Sequence, residues 1–121
     1  VLVHFVELVN ANTRPGDFLF RIGGEEFCCL LPETKLEQAE LVAERIRRQF
    51  ENLIVLVAGT PLNTTVSVGI ASTDTFGYNL EILLRRADMA VYSAKRQGRN
   101  LVVTASLDEV SNDNSGLALA G

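Results

Sequence analysis

Apolar residues open the chain at helical spacing. Leu2, Phe5, Val6 and Val9 fall at i, i+3, i+4 and i+7, which predicts a helix over 1–11. Asn12-Thr13-Arg14-Pro15 reads as a turn. Two β-rich runs follow, 18–22 and 27–31, and Gly23-Gly24 between them predicts a hairpin. Pro32 stops the second strand. Thr34-Lys35-Leu36-Glu37 has the form of a capping box, Thr34 bonding forward and Glu37 reaching back. The helix it opens is expected to run to about Phe50, burying Leu36, Ala39, Ala43, Ile46 and Phe50.

In the second half, 53–57 is β-rich, 59–63 reads as a turn, and 64–71 alternates like a half-buried strand. The two strands are expected to pair as a hairpin. A polar loop over 72–79 leads to a long helix with Leu80, Leu83, Leu84, Ala87, Ala90, Val91 and Ala94 on one face, closed by Gly98. A short strand over 101–104 ends the periodic part. Residues 105–121 show no periodicity, which suggests a flexible tail after a domain at 1–104. Strands interrupted by helices predict an α+β architecture.

Composition narrows the partners. With 121 residues, 47% hydrophobic and 21% charged, the chain has a globular composition and length for one modest core. A net charge of −4 argues against a nucleic-acid polymer, whose binding rests on cations neutralising phosphates. A single nucleotide needs only a few local cations. No apolar run approaches a bilayer span, so no membrane segment is expected. Cys28 and Cys29 are neighbours in one strand and point to opposite faces, which suits neither a disulfide framework nor a metal site. One of them is expected to be buried and apolar, and a reducing, cytoplasmic setting follows.

The hairpin tip carries the densest chemistry. Glycines permit φ > 0 and leave no side chain above the bend, so a ligand can approach closely. Beside them, Glu25 and Glu26 repel each other unless a cation sits between, and a small set of hard oxygens suits Mg²⁺ carrying a substrate's phosphates. The chain resembles the GGDEF family, the diguanylate cyclases, whose signature carries Asp or Glu at its third position. The resemblance is carried by Arg14-Pro15-Gly16-Asp17, Gly23 to Phe27, Ala43-Glu44-Arg45-Ile46-Arg47, Ser67-Val68-Gly69-Ile70, Ala87-Asp88, and Ala94-Lys95-Arg96-Gln97-Gly98-Arg99-Asn100.

That resemblance implies a ferredoxin-like palm similar to nucleotide cyclases, an antiparallel-rich sheet flanked by helices. It also implies that the family's first strand and first helix, with their metal-binding Asp and guanine contacts, are absent here. The implied reaction condenses two GTP into cyclic di-GMP and pyrophosphate with Mg²⁺ (or Mn²⁺). Glu25 and Glu26 would be the catalytic, metal-binding pair, with Gly23 and Gly24 against GTP. Lys95 and Arg99 would reach the β- and γ-phosphates. Read without the resemblance, cations in a last helical turn more often serve the helix dipole.

Arg14, Asp17 and Arg45 match the family's inhibitory product site. Arg suits guanine O6 and N7, and Asp accepts from N1 and N2. Each domain would hold one GTP, so a homodimer or a strand-exchanged oligomer is implied. Alternatives are a non-catalytic cyclic di-GMP-binding module and an inactive truncated remnant. His4 lies beside an apolar stripe and reads as an exposed or satisfied histidine. Asp88 reads as structural, and Tyr92 and Phe76 as packing.

Overall fold

The computed structural model describes residues 2–23 and 26–107. The chain divides into two compact units, Val1–Thr64 and Thr65–Gly121. The first begins with α1 (Leu2–Ala11), which follows the predicted stripe except at its first position: Val9 is buried, Phe5 and Val6 are half-buried, and Leu2 is exposed. The hairpin of β1 (Phe18–Gly23) and β2 (Glu26–Leu30) is antiparallel, pairing Phe18 with Leu30 through Arg21 with Phe27. The register then shifts, so that Gly23 faces Glu26. Such a bulge twists the strand ends at the bend.

Alternation along the hairpin sends Leu19, Phe27 and Cys29 to one face and Phe18, Phe20 and Cys28 to the other. On the first face Phe27 packs inward, while Cys29 at the far end stays exposed. The Phe5 ring lies 5.2 Å from the Phe27 ring and 5.3 Å from the Phe50 ring of α2 (Leu36–Glu51). Ala43, Ile46 and Phe50 bury the α2 face as expected. On the opposite face Phe18 and Phe20 stack with ring centres 6.4 Å apart yet stay exposed. That open face explains why Cys28 is only half-buried. Cys29 is exposed, so neither thiol is the buried apolar residue expected.

Two further expectations in this unit are corrected. Thr34 does not cap α2. Lys35 is the N-cap, without a side-chain bond, and its carbonyl accepts the Gln38 and Ala39 N–H groups at 3.0 Å each. Thr34 therefore stands one residue too early, and its hydroxyl is engaged elsewhere. The strand at 53–57 does not pair with the strand expected at 64–71. Instead β3 (Ile54–Val57) pairs antiparallel with β4 (Thr60–Asn63), which lies where a turn was expected. The reversal is shorter than predicted. Ala58 and Gly59 take φ values of 52° and 82°, the two left-handed residues of a tight hairpin turn.

In the second unit β5 (Val68–Ile70) pairs parallel with β6 (Val102–Thr104). The connection between them carries α3 (Thr73–Phe76) and α4 (Leu80–Arg96). A helical crossover is the usual way to join parallel neighbours. Part of the expected polar loop is thus the short α3, capped where Ser72 Oγ accepts the Asp74 N–H at 3.1 Å. Asn79 Oδ1 caps α4 by accepting the Ile82 N–H at 3.1 Å. Ala90 and Ala94 are fully buried, while Leu80 and Leu84 at the start of the expected face remain exposed.

The end of α4 is closed by two bonds, Arg99 N–H to Ala94 O at 2.9 Å and Gly98 N–H to Lys95 O at 3.4 Å. This is the Schellman pattern, with Gly98 at φ 123° as predicted for a terminal glycine. Past β6, the Ala105 N–H bonds Ile70 O at 2.7 Å and Ala105 is buried, so order continues beyond 104. The rest of the predicted tail, 108–121, lies outside the described residues. Among the described residues no helix is long and apolar enough to cross a membrane. The architecture is α+β, as expected.

Candidate functional site

A cavity of about 210 Å³ opens in the first unit, lined by Asn12, Arg14, Asp17, Leu31, Thr34, Gln38, Val42 and Arg45. It brings together the three residues assigned from sequence to product binding. Arg14 and Asp17 come from the turn between α1 and β1. Their spacing closes on itself: the Asp17 N–H bonds Arg14 O at 3.0 Å, and the Arg14 N–H returns to Asp17 Oδ2 at 2.8 Å. These two hydrogen bonds close the loop, and the Asp17 side chain is only 5% exposed. Arg14 Nε stands 3.9 Å from the same oxygen, while 59% of the Arg14 side chain is exposed. Gly16, at φ 99°, supplies the left-handed backbone that the tight loop requires.

Arg45 enters from α2, one turn past Leu41, and is exposed. The neighbouring Arg47 has a different fate. It lies against Glu44, with Nε to Oε1 at 2.9 Å and Nη2 to Oε2 at 2.6 Å, and it also reaches Glu51. The motif over 43–47 thus divides its two arginines between cavity and helix surface. Two guanidinium groups and one carboxylate give the cavity a positive balance. Its volume is below the roughly 300–1,000 Å³ of drug-sized ligand sites, so it suits one planar base more than a whole dinucleotide.

Sequence reasoning missed five of the liners, Asn12, Leu31, Thr34, Gln38 and Val42, of which Thr34 was read only as a helix cap. Asn12 is oriented by its own amide, which donates to Leu8 O at 2.8 Å and to Gln49 Oε1 at 2.9 Å. The only signal in sequence was its position next to the Arg14 turn. Cys29, within the electrostatic reach of Asp17, has its thiol pKa pushed up to about 11. Crowding by protein is the largest cause, followed by the negative charge of Asp17 and then the Cys28 thiol. Burial also raises Cys28.

At the hairpin tip, Gly23 takes φ 158°, a value that residues with side chains rarely adopt. A Cβ there would meet nothing within 4 Å, so backbone conformation rather than crowding demands the glycine. Glu26 is exposed at the first position of β2. Gly24 and Glu25, assigned from sequence to substrate and metal, lie outside the described residues. Among the described residues no group of three or more His, Cys, Asp or Glu is placed to hold a metal. The exposed Glu26 carboxylate offers the kind of oxygen donor that Mg²⁺ takes when it uses one or two protein carboxylates and completes its shell with phosphates and water.

In the second unit, Lys95 is exposed in the last turn of α4 and Arg99 is exposed just past it. Arg99 and Asn100 both lie in the left-handed region, at φ 66° and 55°. The Asn100 N–H is held by Ser67 Oγ at 3.2 Å, and the Val68 N–H by Leu101 O at 2.9 Å. Two of the sequence motifs, 67–70 and 94–100, therefore meet in one local structure.

Residues 1–101 match the family described as "Diguanylate cyclase, GGDEF domain". The chain is 43% identical over 105 residues to response regulator PleD of Caulobacter vibrioides, covering 85% of this chain and 23% of that protein. It thus spans about a quarter of the length of that curated relative. Among solved structures, the GGDEF domain of DgcB from Caulobacter crescentus in complex with c-di-GMP superposes with a TM-score of 0.75 at 28% identity, covering 85% of this chain and 62% of that one. The active GGEEF domain of a diguanylate cyclase from Vibrio cholerae gives a TM-score of 0.73 at 28% identity, covering 86% and 65%. With its glycine-bent hairpin, its paired motifs and these likenesses, the chain belongs to the GGDEF family of diguanylate cyclase domains.

Proposed function

We propose that this chain is a diguanylate cyclase domain, condensing two GTP into cyclic di-GMP and two pyrophosphates, with a product-inhibition site at the Arg14–Asp17–Arg45 cavity. The observation that carries the reading is the Gly23-to-Phe27 stretch, Gly-Gly-Glu-Glu-Phe, with Glu26 exposed at the start of β2. The active Vibrio cholerae domain is named for the same GGEEF signature, which supports Glu in the third position as compatible with turnover.

In this reading the 3′-hydroxyl of one GTP attacks the α-phosphorus of another. The bond from that phosphorus to the bridging oxygen breaks, and pyrophosphate leaves. Glu25 takes the hydroxyl proton, and Glu25 and Glu26 together would hold the divalent cation. A bound Mg²⁺ or Mn²⁺ would supply charge stabilisation for the attacking and leaving oxygens. Lys95 and Arg99 offer the cations for the departing phosphates. Gly23 and Gly24 leave room for the nucleotide against the backbone. The step repeats in the opposite direction to close the ring, which requires two domains facing each other. Assembly as a homodimer or strand-exchanged oligomer is therefore part of the proposal. The exposed Phe18, Phe20 and Ile22 face of β1 supports it.

Incubation of the chain with GTP and Mg²⁺, followed by chromatography of the products, tests the enzyme. Cyclic di-GMP and pyrophosphate are expected in a 1:2 ratio and should disappear with Glu26→Ala. A second reading, a cyclic di-GMP-binding module without turnover, is favoured by the cavity alone, since it lies wholly within the first unit. Calorimetry that records cyclic di-GMP binding, with no product from GTP, would select it.

A further inference from the structure

Thr34 has the sequence position of a helix cap but does not perform that role. Its hydroxyl donates to Pro32 O at 3.0 Å, and its oxygen accepts Arg14 Nη2 at 2.6 Å. The same Nη2 also donates to Pro32 O at 2.8 Å. Glu33, between the two acceptors, stands at φ 52°. A non-glycine residue in that region costs about 1–2 kcal/mol. The turn it makes folds the Thr34 hydroxyl back onto the Pro32 carbonyl, so that both acceptors meet one edge of a single guanidinium group.

The consequence for Arg14 is geometric. A guanidinium group carries five N–H donors in a fixed plane. Both Nη2 hydrogens are directed to the turn before α2, and the Arg14 backbone N–H anchors to Asp17. The Nη1 hydrogens find no acceptor among the described residues and remain for a ligand. A long side chain that is 59% exposed would otherwise sample many rotamers, and binding would carry the cost of ordering it.

We infer that Thr34 is a positioning residue for Arg14, holding its guanidinium plane in the orientation that reads a guanine edge in the cavity. The inference rests on the cyclic di-GMP reading of that cavity. Thr34 lines the cavity, but its hydroxyl is already committed to Arg14 and Pro32. It acts by pre-ordering the arginine. Because the hydroxyl caps nothing, its loss should spare α2.

The test is calorimetric titration of the 121-residue chain with cyclic di-GMP and, in parallel, cyclic di-AMP. Variants are Thr34→Val, Thr34→Ser and Arg14→Ala. Thr34→Val should weaken cyclic di-GMP binding about tenfold, the scale of one charge-assisted hydrogen bond. It should also draw the cyclic di-GMP to cyclic di-AMP affinity ratio toward one, with an unchanged melting temperature. Thr34→Ser should restore both. If Arg14→Ala abolishes binding while Thr34→Val binds like the parent, the positioning role is wrong and the cavity assignment stands. If Thr34→Val and Thr34→Ser lose affinity equally with a lowered melting temperature, the role is structural and the inference is overturned. If the parent chain itself does not bind cyclic di-GMP, the cavity assignment fails first.

Discussion

Gly69 of β5 lies so close to α4 that a Cβ on it would collide with the Ala87 carbonyl oxygen and stand 2.6 Å from the Val91 nitrogen. Both obstacles are backbone, so no rotamer change relieves them. Gly69→Ala must push β5 off the helix that forms the core of the second unit around Ala90 and Ala94. Overpacking of this kind costs about 1–3 kcal/mol, and the rigid neighbours place it at the upper end. Urea denaturation should show a lowered midpoint for Gly69→Ala. An unchanged midpoint would mean that the strand and helix separate easily.

The glycine in Ser67-Val68-Gly69-Ile70 was legible as a motif but not as a packing requirement, because nothing local in sequence says which helix crosses a strand. The helices were read well for the converse reason. The 3.6-residue stripes of α1 and α2, and most of that of α4, record the face that is buried. Strand partners were read less well. The β-rich run at 54–57 marks a strand whatever it pairs with. The tight turn at Ala58-Gly59 was masked by the stronger punctuation of Pro61, which β4 accommodates within the pairing. Likewise, Thr34-x-x-Glu37 satisfied the local rule for a cap, and only the long-range approach of Arg14 shows that the hydroxyl is engaged elsewhere. The three cavity residues were named from the resemblance, and Asn12 and Gln38 were not, since amides carry no charge pattern to find.

Arg47 joins Glu44 through two parallel hydrogen bonds and also meets Glu51, while Arg48 adds a bond to Glu44 at 3.3 Å. The bonds from Arg47 are the largest cause holding the Glu44 carboxyl below its usual pKa; burial opposes them, and the charge of Arg47 and the Arg48 bond and charge act with them. A carboxylate with a lowered folded-state pKa stabilises the fold above its unfolded pKa of about 4.3, and this is lost as pH falls through the folded value. Glu44 is 39% exposed, so solvent screening limits the gain to about 0.5–1 kcal/mol. Glu44→Gln should lower stability by that amount at pH 7. The difference from the parent should vanish in acid, once the parent carboxylate is protonated. A difference that persists at pH 2 would assign the effect to packing.

The Cys29 thiol, raised to about 11, should alkylate slowly although the residue is exposed. Exposure and crowding pull the pKa in opposite senses, but the Asp17 charge raises it irrespective of burial. In a Cys28→Ser background, iodoacetamide should modify Cys29 at pH 8 on the order of 100-fold more slowly than a free thiol of pKa about 8.5. The rate should climb about tenfold per pH unit toward 11. Asp17→Asn should accelerate it. The same shift favours the neutral thiol in the folded state, so its contribution to stability is complete below about pH 8.5 and declines as pH rises toward 11. Rapid alkylation at pH 8 would place the thiol near its ordinary pKa and remove Asp17 as an influence.

Arg99 sits at φ 66°, where glycine would be at ease, directly after the Gly98 that closes α4. A side chain in that region costs about 1–2 kcal/mol, and such strain persists where a particular side chain is needed at that point. Two substitutions separate strain from charge. Arg99→Ala removes the cation and keeps the strain. Arg99→Gly removes both, at a smaller entropic cost of about 0.4–1 kcal/mol from the more flexible unfolded chain. Arg99→Gly should therefore be more stable than Arg99→Ala, by about 0.5–1 kcal/mol, in thermal or urea unfolding. Both should bind a non-hydrolysable GTP analogue at least tenfold more weakly than the parent, because each loses a charged donor to phosphate. If Arg99→Gly binds the analogue like the parent, the cation has no part in triphosphate recognition, and its left-handed placement serves the chain reversal into β6 alone.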